Sequence, residues 1–300
     1  MTADPATPPL TIDRLGPFDV PEAICFLDDD PVVNVYLLAL ILRDALAKPR
    51  DEWYGARRAG RLTALVHLGA GSGAVLPFGD DEEGLRALGV TATTRLDLLP
   101  PRFQVIGPEQ AVGWLREGFP GASLPPRLER RQRYLSLSRE ARQAMEPLPE
   151  LRTARREDYA LLYASGAALR AEELLEDPRE IDAVAYARRV EEDCRDGFTY
   201  VWRDARGLVF RASVSALTAD AAQVSGVWTA PEHRGHGIAT RALGELCGRL
   251  LLRSREVCLF VNDFNAPALA AYRRLGFRDR MAWASAFFTR QRPAAPISPA

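Results

Sequence analysis

The stretch Val224-Ser225-Gly226-Val227-Trp228-Thr229-Ala230-Pro231-Glu232-His233-Arg234-Gly235-His236-Gly237-Ile238-Ala239-Thr240 is an apolar run that breaks into a glycine-containing loop. It then opens into an amphipathic segment carrying Ile238, Leu243, Leu246 and Leu250. The pattern predicts a strand over 222–228, a turn, and a helix over 237–252. In such a turn successive backbone N–H groups converge at the positive end of the helix, and glycine admits an anion where a side chain would collide. A pyrophosphate fits that description. Two other phosphate loops do not: the Walker lysine is absent, and Thr240 stands where the dinucleotide fingerprint needs a third small residue. Taken alone, glycines in a strand-to-helix turn also serve as bare turn geometry.

Downstream, Val261-Asn262-Asp263-Phe264-Asn265-Ala266-Pro267-Ala268-Leu269-Ala270-Ala271-Tyr272-Arg273-Arg274-Leu275-Gly276-Phe277 predicts the end of a strand, a helix and a glycine stop. Asn265 is placed to cap that helix and Pro267 to lie in its first turn. Tyr272 follows about two turns later on the same face. It reads either as a functional hydroxyl or as a tyrosine that packs its ring and wets its tip.

Together these segments resemble the GNAT superfamily of acyl-CoA-dependent N-acetyltransferases. Its phosphate motif, Q/R-x-x-G-x-G/A, is matched by Arg234, Gly237 and Ala239, in the run Arg234-Gly235-His236-Gly237-Ile238-Ala239. Its N-x-x-A-x-x-x-Y-x-x-x-G-F tail is matched by Asn265, Ala268, Tyr272, Gly276 and Phe277. The resemblance covers about residues 151–290. It implies that amides of His236, Gly237, Ile238, Ala239 and Thr240, with Arg234 and Gly235, hold the acetyl-CoA pyrophosphate. It implies further that Val227, Trp228 and Thr229 hydrogen-bond the pantetheine arm as an added strand, that the Val227 N–H meets the thioester carbonyl, and that Tyr272 protonates or hydrogen-bonds the departing thiolate. Asn265 and Ala268 complete the cofactor-binding set.

The acceptor amine has to be neutral to attack, so a base or water chain must take its proton. Glu172 and Glu173, at the end of the first long helix of this half, are the candidates; Glu173 is favoured by the resemblance, against a plain reading as solvated helix carboxylates. The implied reaction is direct transfer of acetyl to an unidentified primary amine; the alternative is a non-catalytic acyl-CoA-binding regulatory module. A longer acyl donor would use the same phosphate motif. Acidic pocket residues (Glu172, Glu173, Asp177, Asp263) would favour a cationic acceptor. His233 and His236 flank the loop, but only three histidines and no ligand-spaced cluster argue against a metal.

Working outward, alternating helix and strand signals predict an α/β (α+β) chain. The expected elements are a helix over 30–47 capped by Asp28, Asp29 or Asp30, strands 53–57 and 62–68, an apolar run ending at Phe78, and helix 81–88. Strand 103–106, helix 108–117 and strand 133–137 follow. After a connector at 139–152 come helices 156–173 and 178–196, hairpin 199–202/208–217, strand 222–228, helix 237–252, strand 257–262, helix 266–275 and strand 281–288. Trp53-Tyr54-Gly55-Ala56-Arg57 before Gly60-Arg61-Leu62 parallels Tyr200-Val201-Trp202-Arg203-Asp204 before Gly207-Leu208-Val209, which suggests a tandem repeat. The expectation is therefore two tandem GNAT-like units, each a mixed, mostly antiparallel sheet flanked by helices. Their order is a disordered lead-in (1–9), a degenerate N-terminal unit (10–145), a catalytic unit (151–290) and a flexible tail (291–300). The N-terminal half has no R-x-x-G-x-G; Gly79-Asp80-Asp81-Glu82-Glu83 places carboxylates at a helix start, where they repel a pyrophosphate, so no cofactor is expected there.

Composition agrees. At 300 residues, 47% hydrophobic and 26% charged, the chain can bury a sizeable core without disulfides or metal. With 39 basic and 40 acidic side chains the net charge is -1, which leaves no bulk field to draw nucleic acid or an anionic membrane. Lys48 is the one lysine among the basic residues, a bias attributed to a GC-rich genome. The longest apolar run, 32–42, is too short to span a bilayer and the N-terminus lacks a secretory pattern. Cys25, Cys194, Cys247 and Cys258 form no C-x-x-C pattern and read as reduced core residues of a cytoplasmic, bacterial-type protein, monomer or homodimer.

Overall fold

The computed structural model describes residues 8–119 and 124–290, so most of the expected lead-in and all of the expected tail lie outside the described residues. The chain forms two compact units: residues 1–29, 40–133 and 281–300 make the first, and residues 30–39 and 134–280 the second. Among the described residues no helix is long and apolar enough to cross a membrane.

The first unit contains β1 (Leu10–Leu15), α1 (Val20–Leu27), the end of α2 (Val35–Asp44), β2 (Glu52–Arg58), β3 (Arg61–Leu68), β4 (Ala74–Gly79), α3 (Glu82–Thr94), β5 (Arg102–Pro108) and α4 (Glu109–Glu117). The chain leaves it within β6 (Leu128–Ser138). The second unit runs through β7 (Arg152–Thr153), α5 (Tyr159–Leu174), α6 (Pro178–Arg195), β8 (Thr199–Asp204), β9 (Gly207–Leu217), β10 (Ala221–Thr229), α7 (Ile238–Leu250), β11 (Glu256–Asn262) and α8 (Ala266–Leu275); β12 (Arg278–Thr289) follows.

The two units repeat one order of elements, β-α-α-β-β-β-α-β-α, and one pairing scheme. β1–β2, β2–β3 and β3–β4 are antiparallel and β4–β5 parallel; β7–β8, β8–β9 and β9–β10 are antiparallel and β10–β11 parallel. Each parallel pair is joined by a helix, as a parallel connection requires.

The sixth strand of each unit is not the one a contiguous division assigns. β12 pairs antiparallel with β5 of the first unit, from Trp283↔Pro108 to Thr289↔Arg102, and Phe288 stacks on Phe103 at 5.0 Å. β6, whose residues from Tyr134 belong to the second unit, neighbours β11, with Leu135 and Leu137 in that unit's core. The division at 145–151 therefore differs from the compact units: strand pairing, which does not follow sequence order, assigns residues 134–150 to the second unit and those from 281 on to the first.

The first core packs Val66, Leu85, Leu88, Phe103, Leu115 and Phe288. The second unit buries both faces of its sheet. Phe210, Leu243, Leu246, Leu259 and Leu275 fill the α7/α8 side, and Leu162, Val190, Val201 and Leu208 the α5/α6 side. Two further expectations are corrected. The helix expected over 30–47 is confined to α2: Asp30 Oδ1 accepts from the Val33 N–H at 3.1 Å, making a turn first, and Ala45 and Leu46 take left-handed φ of 47° and 58° that end the helix. α1 was not anticipated. Of the four free cysteines only Cys247 and Cys258 are core residues; Cys194 is half-buried and Cys25 exposed, on a face of α1 that the core does not cover.

Candidate active site

β10 and β11 begin as a parallel pair, and their register ends at Gln223↔Cys258 although β10 runs on to Thr229 and β11 to Asn262. The other edge of β10 is irregular over the same stretch, with register shifts against β9 between Gln223 and Val224 and again between Ser225 and Trp228. Between Ser225↔Ser213 and Trp228↔Arg211 two residues, Gly226 and Val227, oppose the single Ala212 of β9, and Gly226 has φ of +59°. Such a bulge bends and twists its strand. Beyond Gln223 the β11-facing edge of β10 has no strand register. Thr229 marks it: Ala230 N–H bonds back to Val209 of β9, while the Thr229 carbonyl accepts from Arg234 Nε at 3.0 Å.

The loop after β10 leads to the start of α7. Gly235 and Gly237 have φ of +79° and +75°, and a Cβ built on either meets nothing within 4 Å, so the space above the loop is open. Gly237 is the N-cap and carries no side chain to satisfy the first-turn amides; the first turn has no acidic residue. Exposed N–H groups at a positive helix end, beside open volume, fit a pyrophosphate. His236 is exposed, and His233 lies 3.4 Å from Asp204. Among the described residues no group of three or more His, Cys, Asp or Glu is placed to hold a metal.

Asn265 caps α8 as its sequence suggested, its side chain accepting from the Ala268 N–H at 3.2 Å. This sets the phase that turns Tyr272 inward, where it is buried. Burial pushes the phenol above its usual range, and the charge of Glu173 pushes it further. The fold thus brings Glu173, at the end of α5, into electrostatic reach of Tyr272 on α8. Glu172 turns elsewhere, its two carboxylate oxygens 2.9 and 3.1 Å from Arg234 Nη2. α5 ends just beyond them, at Leu175 in the left-handed conformation with φ of 57°.

A buried polar cluster behind β10 was not anticipated. Arg211, on β9 opposite Trp228, is 6% exposed; its Nη1 donates to Leu162 O at 3.2 Å and its Nη2 lies 3.5 Å from Asp193. Tyr186 Oη donates to Tyr163 O at 2.7 Å. Burial holds Asp193 above and Arg211 below their ordinary values. Arg211 Nε and Trp228 Nε1 are buried without a hydrogen-bond acceptor, an arrangement that suits a water or a substrate oxygen. The sequence signal was an arginine within the apolar run Leu208-Val209-Phe210-Arg211-Ala212.

The corresponding places in the first unit are built differently. The β4–β5 register also ends early, at Val75↔Val105, but the strands stay close further on: a Cβ on Gly107 would lie 2.9 Å from Pro77 O. The start of α3 already holds an anion, because Asp81 accepts from Gly84 N at 3.0 Å and from Arg58 Nε at 2.7 Å.

Comparison with known proteins matches residues 168–277 to the Acetyltransferase (GNAT) family. A search of curated proteins gave no match. Among solved structures, the chain is similar to a GCN5-related N-acetyltransferase from Sphaerobacter thermophilus, with 17% identity, a TM-score of 0.58, and 95% of this chain and 98% of that one covered. A tandem GNAT protein from the clavulanic acid biosynthesis pathway aligns with 16% identity and TM-score 0.55 over 95% of this chain and 100% of that one. A GNAT-family acetyltransferase from Colwellia psychrerythraea aligns with 12% identity and TM-score 0.51 over 93% and 100%. At these identities the likeness is one of fold, and it extends over both units. Family and fold together support acyl-CoA-dependent acetyl transfer in general terms. Residues 168–277 thus match the GNAT acetyltransferase family, and the likeness of fold extends to the unit that precedes them.

Proposed function

We propose that this protein transfers acetyl from acetyl-CoA to a primary amine by direct attack, in the second unit. One observation carries the reading: β10 loses its parallel partner after Gln223, bulges three residues on at Gly226–Val227, and leads straight into the 235–237 loop, whose two glycines face open space. An extended thioester arm fits the unpaired edge of β10, and its pyrophosphate fits the loop.

In this reading Arg234, Gly235, His236, Gly237, Ile238, Ala239 and Thr240 bind the pyrophosphate. Val227, Trp228 and Thr229 pair with the arm, and Asn265 and Ala268 fix the start of α8. The Val227 N–H stabilises the charge developing on the thioester oxygen, an effect of about 2.7–4 kcal/mol in acyl transfer. Glu173 takes the proton of the attacking amine. Tyr272 serves the sulfur. Its raised ionisation keeps the hydroxyl protonated at neutral pH and makes full transfer to a thiolate, whose acid has a pKa of about 8.5, uphill; hydrogen bonding to the sulfur is therefore its main contribution. The close approach of Gly107 to Pro77 and the Asp81 carboxylate support a cofactor-free role for the first unit.

The test is calorimetric titration of acetyl-CoA into wild type and Gly237→Glu, followed by thiol release with an amine panel. Binding that is lost in the variant, with release dependent on one amine class, is expected. Binding without release for any amine would instead point to an acyl-CoA-binding regulatory module.

A further inference from the structure

We infer that Glu172 and the cofactor pyrophosphate compete for Arg234, which makes Glu172 a positioning residue that sets cofactor affinity. This rests on the reading of the 234–240 loop as the pyrophosphate site.

Arg234 immediately precedes the two open glycines, and its guanidinium is already engaged by partners on β10 and α5. Nε is bonded to the Thr229 carbonyl at 3.0 Å, and Nη2 is shared between both oxygens of Glu172 at 2.9 and 3.1 Å. One nitrogen serves two oxygens, so the pair lacks the parallel two-nitrogen fork that makes arginine–carboxylate pairs strong. Both side chains are also half-exposed, 46% for Arg234 and 48% for Glu172, and ion pairs in that setting are weak. A pyrophosphate arriving a residue away offers more charge and better-spaced oxygens to the same guanidinium. Arg234 can keep its bond to Thr229 through Nε and exchange only the Nη2 partner.

The exchange also reaches the acceptor side. Glu172 is on the last turn of α5, next to Glu173, whose charge acts on Tyr272. While Arg234 holds Glu172, that turn is tied to the loop; once the pyrophosphate takes Arg234, the turn is released. Cofactor loading and the position of Glu173 are thereby linked through one arginine.

The experiment is a double-mutant cycle on CoA affinity, using wild type, Glu172→Gln, Arg234→Gln and the double variant, with pantetheine as the probe lacking pyrophosphate. Glu172→Gln is expected to tighten CoA binding about three- to fivefold, the range open to a weak exposed pair. The gain should vanish in the Arg234→Gln background and be absent with pantetheine. Glu172→Ala should act in the same direction, which covers any local misfolding of the first variant. CoA affinity unchanged or weakened by both Glu172 variants, in a protein whose wild type binds CoA, overturns the competition and leaves the loop reading standing. The same holds for an equal gain with pantetheine. Failure of wild type to bind CoA overturns both.

Discussion

Tyr272 lies seven residues beyond the Asn265 cap, and that spacing alone turns its ring into the core of the second unit, 5.9 Å from the Phe277 ring. Burial and the neighbouring carboxylate of Glu173 then hold its proton in place. Tyr272→Phe is expected to lower kcat about tenfold or more while changing CoA affinity less than twofold, as kinetics with calorimetry would show. Because the phenol is raised above its ordinary value, the pH profile of kcat should rise with amine deprotonation and show no descending limb below about pH 10. A limb at lower pH that disappears in Tyr272→Phe would contradict the raised ionisation. Asp158, fully buried at the start of α5, shows the opposite case. Burial raises its carboxyl, but hydrogen bonds from Arg152 at 2.7 and 3.0 Å and from the Arg155 N–H outweigh this and hold it below its usual value. A depressed carboxylate stabilises the fold above its unfolded pKa and loses that contribution as pH falls through the folded one. Asp158→Asn should therefore cost about 3 kcal/mol at pH 7, with the difference shrinking below about pH 4 in urea unfolding.

Among elements, β10 carries the distinction between the two units. Its pairing with β11 ends at Gln223, and three residues on, at the left-handed Gly226, its register with β9 shifts. Gly226→Val places a β-branched residue in a conformation that disfavours it by about 1–2 kcal/mol. We expect a lower Tm by thermal unfolding and CoA binding weakened about tenfold by calorimetry, since flattening the bulge shifts the edge with which the arm would pair. A Tm drop with CoA affinity intact would show that the bulge is not what opens the site. The equivalent pair in the first unit, β4 and β5, has no bulge of this kind in the β3–β4 register, and Gly107 brings it against Pro77.

At the scale of the molecule, the last strand belongs to the first unit. Ending the chain at Arg280 would strip the edge of β5 and remove Ala286 and Phe288 from the core around Phe103. Limited proteolysis of that truncation is expected to cut residues 40–133 first, because an uncovered strand edge and a lost core leave them the less stable part. A fragment starting at residue 151 should not fold alone, because it lacks Leu135, Leu137 and Leu148; circular dichroism would report it.

Much was legible in the chain alone because it is local. The Asn265 cap, the glycines of the 235–240 loop, the repeated hairpins and the carboxylates at the start of α3 depend on residues a few positions apart, and backbone geometry acts at that range. The repeat of two GNAT-like units follows from the same local signals. What only the tertiary structure decided involves partners far apart in sequence: β12 beside β5, β6 beside β11, Arg234 on Glu172, and the charge of Glu173 acting on Tyr272. Strand pairing and ion pairing reward proximity in space whatever the separation along the chain, and no periodicity or motif encodes which distant segment arrives.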